Sequence, residues 1–500
     1  MRNDIGRTMN RRGFLKAIGL GAAGLAVGPM VRGAAAAASV SGKKLNFIII
    51  FTDDQGYQDV GCFGSPKIKT PNLDRMAAEG MRFTDFYSAA SVCSPSRLAL
   101  MTGCYPPRVG NLPVLFPHSK IGLNPQETTI AELLKAKGYA TGAIGKWHLG
   151  YQKKFLPTSN GFDSYLGVPY SNDMWLPANM TYAPDARLGE GLTPENLKTP
   201  KRTKSNVPLL RDDKVIDYPV DQSTLTQRYT AEAIRLINEN KDKPFFIYLA
   251  HTMPHVPLFA SEKFKGKSAR GLYGDTIEEI DWSTGEVFKT LKKLGLDENT
   301  LVFYCSDNGP WLSKGKNGGC ALPLKNGKFT TWEGGMREPT IMRLPGRIPA
   351  GKECSKVAGT IDMLPTIARL AGADMPAKVI DGKDIWPLMT AQAGAKSPHE
   401  AYFYYRGSRL EALRQGKWKL RLVGPRKPKR KKKTDKAKAG KQPAPKAPPA
   451  MQLYDLAADI SETTNVAAKH PDVVAKLAAI ATKFDAKLKA DKRQPGKVEA

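Results

Sequence analysis

Apolar runs recur along the chain up to about residue 375, with helix-like stretches between them. Three runs are rich in β-branched or aromatic residues and a fourth, shorter run resembles them, at 45–51, 245–249, 301–305 and 141–144. Runs of this kind are typical of strands buried in a sheet. The stretch 129–137 has helical spacing and is followed by Gly138, a common residue just after a helix. The alternation predicts an α/β fold.

Polar residues follow each of these runs. In chain order they are Asp53 and Asp54, Lys146 and His148, His251 and His255, and Asp307 and Asn308. The carboxyl ends of strands in an α/β sheet are where such folds place their functional sites. One polar residue after a strand could be an ordinary loop residue. Four sets together predict a shared site.

After about residue 375 the pattern changes to short segments. Candidate antiparallel strands lie at 401–405, 410–414, 418–423 and 451–456. A final helix is predicted at roughly 470–489. Since 500 residues exceed what one core usually serves, we expect a large domain over 44–375. A smaller α+β domain over 376–490 should follow it.

Charge separates two segments from these domains. The net charge is +29, yet residues 425–450 hold eleven Lys or Arg against one Asp, and residues 1–38 hold six against one. The tract 425–450 cannot bury a core and is predicted to be a disordered surface insertion. It lacks the aromatic residues that would stack on bases, so we expect no nucleic acid. A solvated loop and a contact for an anionic polysaccharide both remain open.

The N-terminus has the pattern of an export signal. Residues 10–16 read Asn-Arg-Arg-Gly-Phe-Leu-Lys, and a Gly/Ala-rich apolar stretch and a run of alanines follow. This pattern is typical of twin-arginine signal peptides. A membrane anchor is the alternative, but the apolar stretch is short and rich in glycine. We predict a signal peptide over 1–38, recognition by the twin-arginine translocase, and a bacterial periplasmic or extracellular protein without a transmembrane anchor after processing.

Six cysteines in 500 residues do not form a disulfide scaffold. Export would permit one or two bridges, and the sequence does not assign them. Cys93 stands apart because it opens the segment Cys93-Ser94-Pro95-Ser96-Arg97. Pro95 suits the first turn of a helix, which would place Cys93 at the end that favours anions. The alternative is a buried structural cysteine.

This pentapeptide resembles the signature of the sulfatase family, and residues 138–148 resemble the family's second signature in the expected order. The resemblance runs from about residue 46 to the C-terminal helix, and it is nearest to the branch of arylsulfatase A and N-acetylgalactosamine-6-sulfatase. Further matching segments lie at 71–74, 161–163, 168–173 and 333–339. The resemblance implies an alkaline-phosphatase-like large domain, with a mixed sheet flanked by helices, and a C-terminal α+β domain with an antiparallel sheet.

In sulfatases the signature cysteine is oxidised to formylglycine by a formylglycine-generating or sulfatase-maturating enzyme, and the hydrated aldehyde attacks sulfur. The resemblance implies this fate for Cys93. Asp53, Asp54, Asp307 and Asn308 offer oxygen ligands, which suit a hard cation better than zinc. The family points to one Ca²⁺, with residue 93 as a further ligand.

The resemblance also assigns roles around the sulfate. Arg97 would hold the nucleophile, Asp307 is a candidate base for it, and His148 would take a proton during sulfate release. The positions that match the family's catalytic residues are Cys93, Arg97, Lys146, His148, His255 and Lys328, and those that match substrate-binding residues are Ser171, Lys146, His255 and Lys328. Lys325 competes with Lys328 for its position, and His251 is expected to be structural.

The sequence therefore predicts a sulfatase that acts on a sulfated small molecule or polysaccharide fragment. Pocket loops at 112–124 and 172–218 are expected to select the substrate. One alternative is a phosphonate monoester or phosphodiester hydrolase of the same superfamily, although those relatives tend to have His where this chain has Asn308. Another is a non-catalytic protein that binds polyanions through the basic tract.

Overall fold

The computed structural model describes residues 43–422 and 451–498. The predicted signal peptide and the basic tract 425–450 lie outside the described residues. The strands are β1 (Asn46–Thr52), β2 (Met81–Phe83), β3 (Phe86–Tyr87), β4 (Ile121–Gly122), β5 (Ala140–Lys146), β6 (Ser164–Val168), β7 (Thr181–Leu188), β8 (Leu209–Arg211), β9 (Lys214–Tyr218), β10 (Phe245–Ala250), β11 (Thr300–Ser306), β12 (Thr340–Arg343), β13 (Lys352–Cys354), β14 (Ala358–Gly359), β15 (Tyr402–Arg406), β16 (Arg409–Gln415), β17 (Trp418–Arg421), β18 (Gln452–Asp455) and β19 (Gly496–Lys497). The α-helices are α1 (Pro71–Ala78), α2 (Cys93–Thr102), α3 (Ile130–Ala136), α4 (Leu225–Glu239), α5 (Leu272–Lys293), α6 (Glu333–Met336), α7 (Met363–Ala371), α8 (Trp386–Met389) and α9 (Pro471–Ala490).

An eleven-stranded sheet organises the larger part of the fold. Its strand order is β13-β2-β12-β11-β1-β10-β5-β6-β8-β9-β7. The central strands β11, β1, β10, β5 and β6 are parallel, and both flanks contain antiparallel pairs. The four predicted apolar runs are β1, β5, β10 and β11, and all four lie in this parallel centre. The predicted α/β class with a mixed sheet is confirmed.

The sheet is covered by helices on both faces. Phe47, Ile49 and Phe51 of β1 belong to a core that includes apolar residues of α2, α3 and α7. Ile48 and Ile50, which point to the other face, belong to a second core with residues of α1, α4 and α5. Because both faces of β1 are buried, an uninterrupted apolar run is what this strand requires.

The C-terminal part forms a second, four-stranded antiparallel sheet in the order β15-β16-β17-β18. Helix α9 packs on it through Leu477, Ala481 and Leu488, and the shared core includes Tyr105 of the large domain. The four strands and the helix predicted after residue 400 are therefore confirmed. The exact domain boundaries remain predictions.

The structure corrects one expectation and answers two others. The span 172–218, predicted as pocket loop, contains β7, β8 and β9, which extend the large sheet at one edge. All six cysteines are free, so no bridge restrains the described chain. No helix within 43–422 or 451–498 is both long and apolar enough to cross a bilayer.

A buried ion cluster links the C-terminal sheet to helix α6. Lys419 of β17 donates to Glu333 of α6 at 2.8 Å and forms an ion pair with Glu462 at 2.8 Å, and all three side chains are fully buried. Burial alone would raise the pKa of Glu333, but Lys419, Arg414 and Arg337 lower it to about 2. Glu333 is therefore charged at neutral pH, and Lys419 is a cation that its surroundings require.

Replacing Lys419 with methionine leaves these two carboxylates buried without their shared cation. We expect the free energy of unfolding to fall by about 3 to 5 kcal/mol, as for other broken buried ion pairs. Urea denaturation followed by circular dichroism measures this change.

Lys417→Met is the matched control, because Lys417 lies directly before β17, the strand that contains Lys419. Lys417 pairs with Asp455 at 2.6 Å but is half exposed, and such surface pairs contribute about 0 to 1 kcal/mol. Equal small losses in the two variants would contradict the importance assigned to the buried cluster.

Candidate active site

The ends of four parallel strands bring the predicted polar residues together. In the sheet, Thr52 of β1 lies beside Ser306 of β11, and Phe51 lies beside Ala250 of β10. Ala250 in turn lies beside Gly145 of β5. The residues that follow these positions enter one region at the same edge of the sheet, as the sequence predicted.

Cys93 lies in this region as the first residue of α2, and it is only 2% exposed. The start of a helix carries partial positive charge, which favours an anion there. Lys328 Nζ lies 3.7 Å from Cys93 Sγ. Burial raises the pKa of the thiol to about 11, although the charges of Lys146 and Lys328 oppose the shift. The unmodified thiol is therefore protonated at neutral pH and a poor nucleophile.

Three buried carboxylates around Cys93 each lie against a buried cation. The pairs are Asp53 with Lys146 (2.6 Å), Asp54 with Lys328 (2.7 Å), and Asp307 with Arg97 (2.8 and 3.0 Å). Burial alone would raise the pKa of Asp53, but Lys146, His255 and Arg97 hold it well below its ordinary value. Burial and then the charge of Asp53 raise the pKa of Asp307 to about 7. The carboxylates are thus close enough to oppose each other's ionisation.

Two oxygen atoms in this cluster have no hydrogen-bond partner among the described residues. They are Asp53 Oδ1 and Asn308 Oδ1, both fully buried. Asn308 is oriented by its Nδ2, which donates to Asp54 Oδ1 at 2.7 Å. Buried oxygens without partners are costly unless something else binds them. A hard cation with oxygen ligands fits both atoms.

The possible metal ligands differ slightly from the predicted set. Ligand atoms of Asp53, Asp54, Cys93 and His255 all lie within 4.8 Å of one another. Asp307 is not in this group, and its Oδ1 accepts from the backbone of Asp54 at 3.2 Å. Two of these four donors are carboxylates, and Asp307 and Asn308 adjoin Asp54. With these two residues included, oxygen donors outnumber the sulfur and the nitrogen, which favours Ca²⁺ or Mg²⁺ over zinc.

His255 and Ser171 adjoin this cluster of carboxylates and cations. Ser171 Oγ is 3.2 Å from Lys146 Nζ and 3.4 Å from the ring nitrogens of His255. His255 Nδ1 lies 2.7 Å from the carbonyl of Val256 and 3.0 Å from Asn172 Oδ1. Since both are oxygens that accept, Nδ1 carries the hydrogen and Nε2 faces Asp54 at 3.6 Å.

His148 also has a defined tautomer. Its Nε2 lies 2.9 Å from the carbonyl oxygen of Leu115, so Nε2 donates, and Nδ1 has no partner among the described residues. Burial, followed by the charge of Lys146, holds the pKa of His148 well below its ordinary value. His148 and Asp54 both have φ of 62°. Such left-handed backbone in non-glycine residues costs about 1 to 3 kcal/mol and clusters at functional sites.

Lys325 and His251 make no side-chain hydrogen bond to the cluster within the described residues. Lys325 Nζ donates to the carbonyl of Glu462 at 2.7 Å and lies 4.1 Å from the centroid of Trp332. His251 is fully buried, both ring nitrogens lack partners among the described residues, and burial lowers its pKa to about 3. The structure thus brings Lys328 to Cys93 and leaves Lys325 elsewhere.

Two contacts at the site were not predicted. Asn172 accepts from His255 Nδ1, and its Nδ2 donates to the carbonyl of Pro257 at 2.9 Å. Tyr248 Oη accepts from Arg97 at 3.4 Å. Asn172 directly follows Ser171 in a segment already singled out, and that adjacency is the signal that could have found it. Tyr248 lies inside an apolar strand, where the sequence gives no such signal.

The sequence profile described as Sulfatase matches residues 45–373, and the profile described as the C-terminal region of aryl-sulfatase matches residues 397–500. The chain belongs to the sulfatase family. Its relatives include human arylsulfatase A, with 42% identity over 384 residues, covering 75% of this chain and 74% of the relative. N-acetylgalactosamine-6-sulfatase of Canis lupus familiaris is 39% identical over 426 residues, covering 81% and 74%.

Solved structures agree with this assignment. The structure of Ps i-CgsB in complex with k-i-k-neocarrahexaose matches this sulfatase with a TM-score of 0.71 and 32% identity, covering 91% of this chain and 94% of that one. BT4656, solved with its substrate D-glucosamine-2-N,6-O-disulfate, matches with a TM-score of 0.63 at 20% identity, covering 90% and 100%, and so shares the fold. This sulfatase is a sulfuric ester hydrolase.

Proposed function

We propose that this sulfatase hydrolyses sulfate esters through a nucleophile made from Cys93. The observation that carries the proposal is the position of Cys93, buried at the start of α2 and within reach of Lys328 and the charges of Lys146. The protonated thiol of Cys93 is a poor nucleophile for attack on a sulfate ester. Its conversion to formylglycine would supply a hydroxyl nucleophile on hydration, and a bound Ca²⁺ would lower the pKa of that hydroxyl.

The residues that would hold the ion are Asp53, Asp54, Asp307, Asn308 and residue 93. The unpartnered oxygens of Asp53 and Asn308 support this assignment. Each of the three carboxylates is paired with a cation, so a bound divalent cation would add positive charge to the site. A positive site attracts an anionic ester.

Three cations would position the reacting groups. Lys146 and Lys328 would contact its oxygens, and Arg97, fixed by Asp307, would hold the nucleophile in place. Their amines and guanidinium are already positioned by carboxylates and excluded from water. Preorganised charges of this kind stabilise a transferring anionic group without reorganisation.

Two histidines are suited to move protons. His148 is neutral and has its free lone pair at Nδ1, so it can take a proton during sulfate release. His255 presents Nε2 to the cluster and would assist the leaving oxygen together with Lys328, whose ammonium group has protons to donate. Ser171 lies between Lys146 and His255 and would contact the substrate.

We further infer that the substrate is a sulfated carbohydrate or aryl sulfate met outside the cytoplasm. The twin-arginine pattern of residues 10–16 supports export to the periplasm or beyond. Export in the folded state would require Cys93 to be modified beforehand by a maturating enzyme in the cytoplasm.

Lys328→Ala removes a cation from the sulfate site, whereas Lys325→Ala removes one three residues away that lies outside it. We expect the first variant to lose about 100- to 1,000-fold in kcat/KM for 4-nitrophenyl sulfate, the usual cost of losing one electrostatic contact to the transition state. The second should stay within a few-fold of wild type. Steady-state kinetics measure both, and equal losses would contradict the assignment of Lys328.

Calcium binding can be tested without activity. After treatment with a chelator, added Ca²⁺ should raise the thermal midpoint of the wild type, because an ion at 100 times its Kd stabilises a protein by about 2.7 kcal/mol. Asp53→Asn should abolish this increase. Asp59→Asn, a change at a buried carboxylate hydrogen-bonded to Tyr273 outside the cluster, should retain it. An equal increase in both variants would place the ion elsewhere.

A further inference from the structure

Three aromatic side chains from two separate loops lie together on the surface. The ring centroids of Phe116 and His118 are 5.7 Å apart, those of Phe116 and Trp175 6.3 Å, and those of His118 and Trp175 6.1 Å. The ring planes deviate by only 13° to 25° from parallel. Phe116 is 40% exposed, so the group is open to solvent. We call Phe116, His118 and Trp175 the aromatic platform.

One side of the platform is attached directly to the active site. The backbone of Leu115 donates to Ser94 Oγ at 3.1 Å, and its carbonyl accepts from His148 at 2.9 Å. Ser94 is the neighbour of Cys93, and Phe116 is the neighbour of Leu115. Consecutive Cα atoms are about 3.8 Å apart, so Phe116 lies at the rim of the cluster around Cys93.

The other side is attached through Ser171. Ser171 Oγ accepts from Lys146, and a tight turn from Ser171 to Met174, closed by a 3.1 Å backbone hydrogen bond, leads into Trp175. Trp175 also forms a backbone bridge with Asn206. The backbone of Trp175 is therefore held close to the residues proposed to bind substrate.

The platform carries positive charge at its edge. The guanidinium of Arg202 lies 5.7 Å from the ring centroid of Trp175, and it forms no salt bridge with any residue in 43–422 or 451–498. Lys201 and Lys204, its neighbours in the chain, are exposed. Aromatic rings offer a flat apolar surface, and an unpaired arginine favours an anionic group such as a sulfate.

The platform is distinct from the position of the reacting ring. Trp311 is the aromatic residue that contacts the two residues proposed to assist the leaving oxygen, at 5.7 Å from the ring of His255 and 4.8 Å from Lys328 Nζ. No ring of the platform makes such a contact in the described residues. A substrate with one ring would be held near Trp311 and would not need the platform.

We propose that the aromatic platform is a subsite for a second sugar ring in a sulfated oligosaccharide, with Arg202 binding a sulfate on that ring. The inference rests on the proposed function and specifies its substrate class. The apolar face of the sugar would cover Phe116 and Trp175, and the charge of Arg202 matches the anionic character of such a chain. Phe116 and His118 lie in the predicted pocket loop 112–124, and Trp175 and Arg202 lie in the parts of 172–218 outside β7, β8 and β9.

Kinetics with two probes test the subsite. Wild type, Trp175→Ala and Phe116→Ala are compared on 4-nitrophenyl sulfate and on carrageenan and chondroitin sulfate oligosaccharides of two to six sugars. We expect KM for the hydrolysed oligosaccharide to rise about 10-fold or more in each variant, which corresponds to about 1.4 kcal/mol. The kcat and KM for 4-nitrophenyl sulfate should stay unchanged.

Trp282→Ala is the matched control, since Trp282 also combines a neighbouring ring, Phe264 at 5.8 Å, with a lysine over its face but lies on α5. It should change neither KM. Wild-type activity on the aryl ester alone, or equal KM values in the variants and wild type, would overturn the subsite. Loss of self-association in the Trp175→Ala variant with unchanged KM would show a contact between copies of the chain instead. Activity on neither probe would contradict the proposed function itself.

Discussion

The active site depends on keeping three cations and three carboxylates buried together as pairs. The pairs are Arg97 with Asp307, Lys146 with Asp53, and Lys328 with Asp54. All six side chains have almost no exposure to water. Removing either sign would leave charges in a medium that solvates them poorly. The parallel register of β1, β5, β10 and β11 positions most of these residues, and α2 adds Arg97. The backbone positions of these strands and of α2 are therefore constrained most strongly at the paired charges.

Lys328 is the one cation of the three that is not at a strand end or on α2. It lies in a segment that continues into α6, and Glu333 of α6 is bound by Lys419 from the C-terminal sheet. The buried ion cluster thus links the C-terminal sheet to α6, the helix that follows the segment containing Lys328. This arrangement gives the C-terminal sheet a part in the geometry of the site, even though its strands contribute none of the predicted site residues.

The sequence predicted the centre of the fold and the site because both follow from local patterns. The central residues of β1, β10 and β11 are apolar, and the polar residues directly after these strands could enter only one edge of the sheet. The edge strand β7 was missed because Thr181–Leu188 contains Pro184 and exposed Asp185 and lacks alternation. Its pairing with β9 is decided by the tertiary fold. The contacts of Leu115 with Ser94 and His148, and the meeting of Phe116 with Trp175, also join distant segments that no local pattern relates.

The mass of the tryptic peptide 83–97, from protein produced in its native organism, tests the central claim most directly. If the nucleophile is made from Cys93, the peptide will have lost the sulfur of that residue and gained a carbonyl oxygen. An aldehyde reagent will then add to it. A peptide that retains an intact thiol throughout would contradict the account, because a buried thiol with a raised pKa cannot replace the hydroxyl that the site requires.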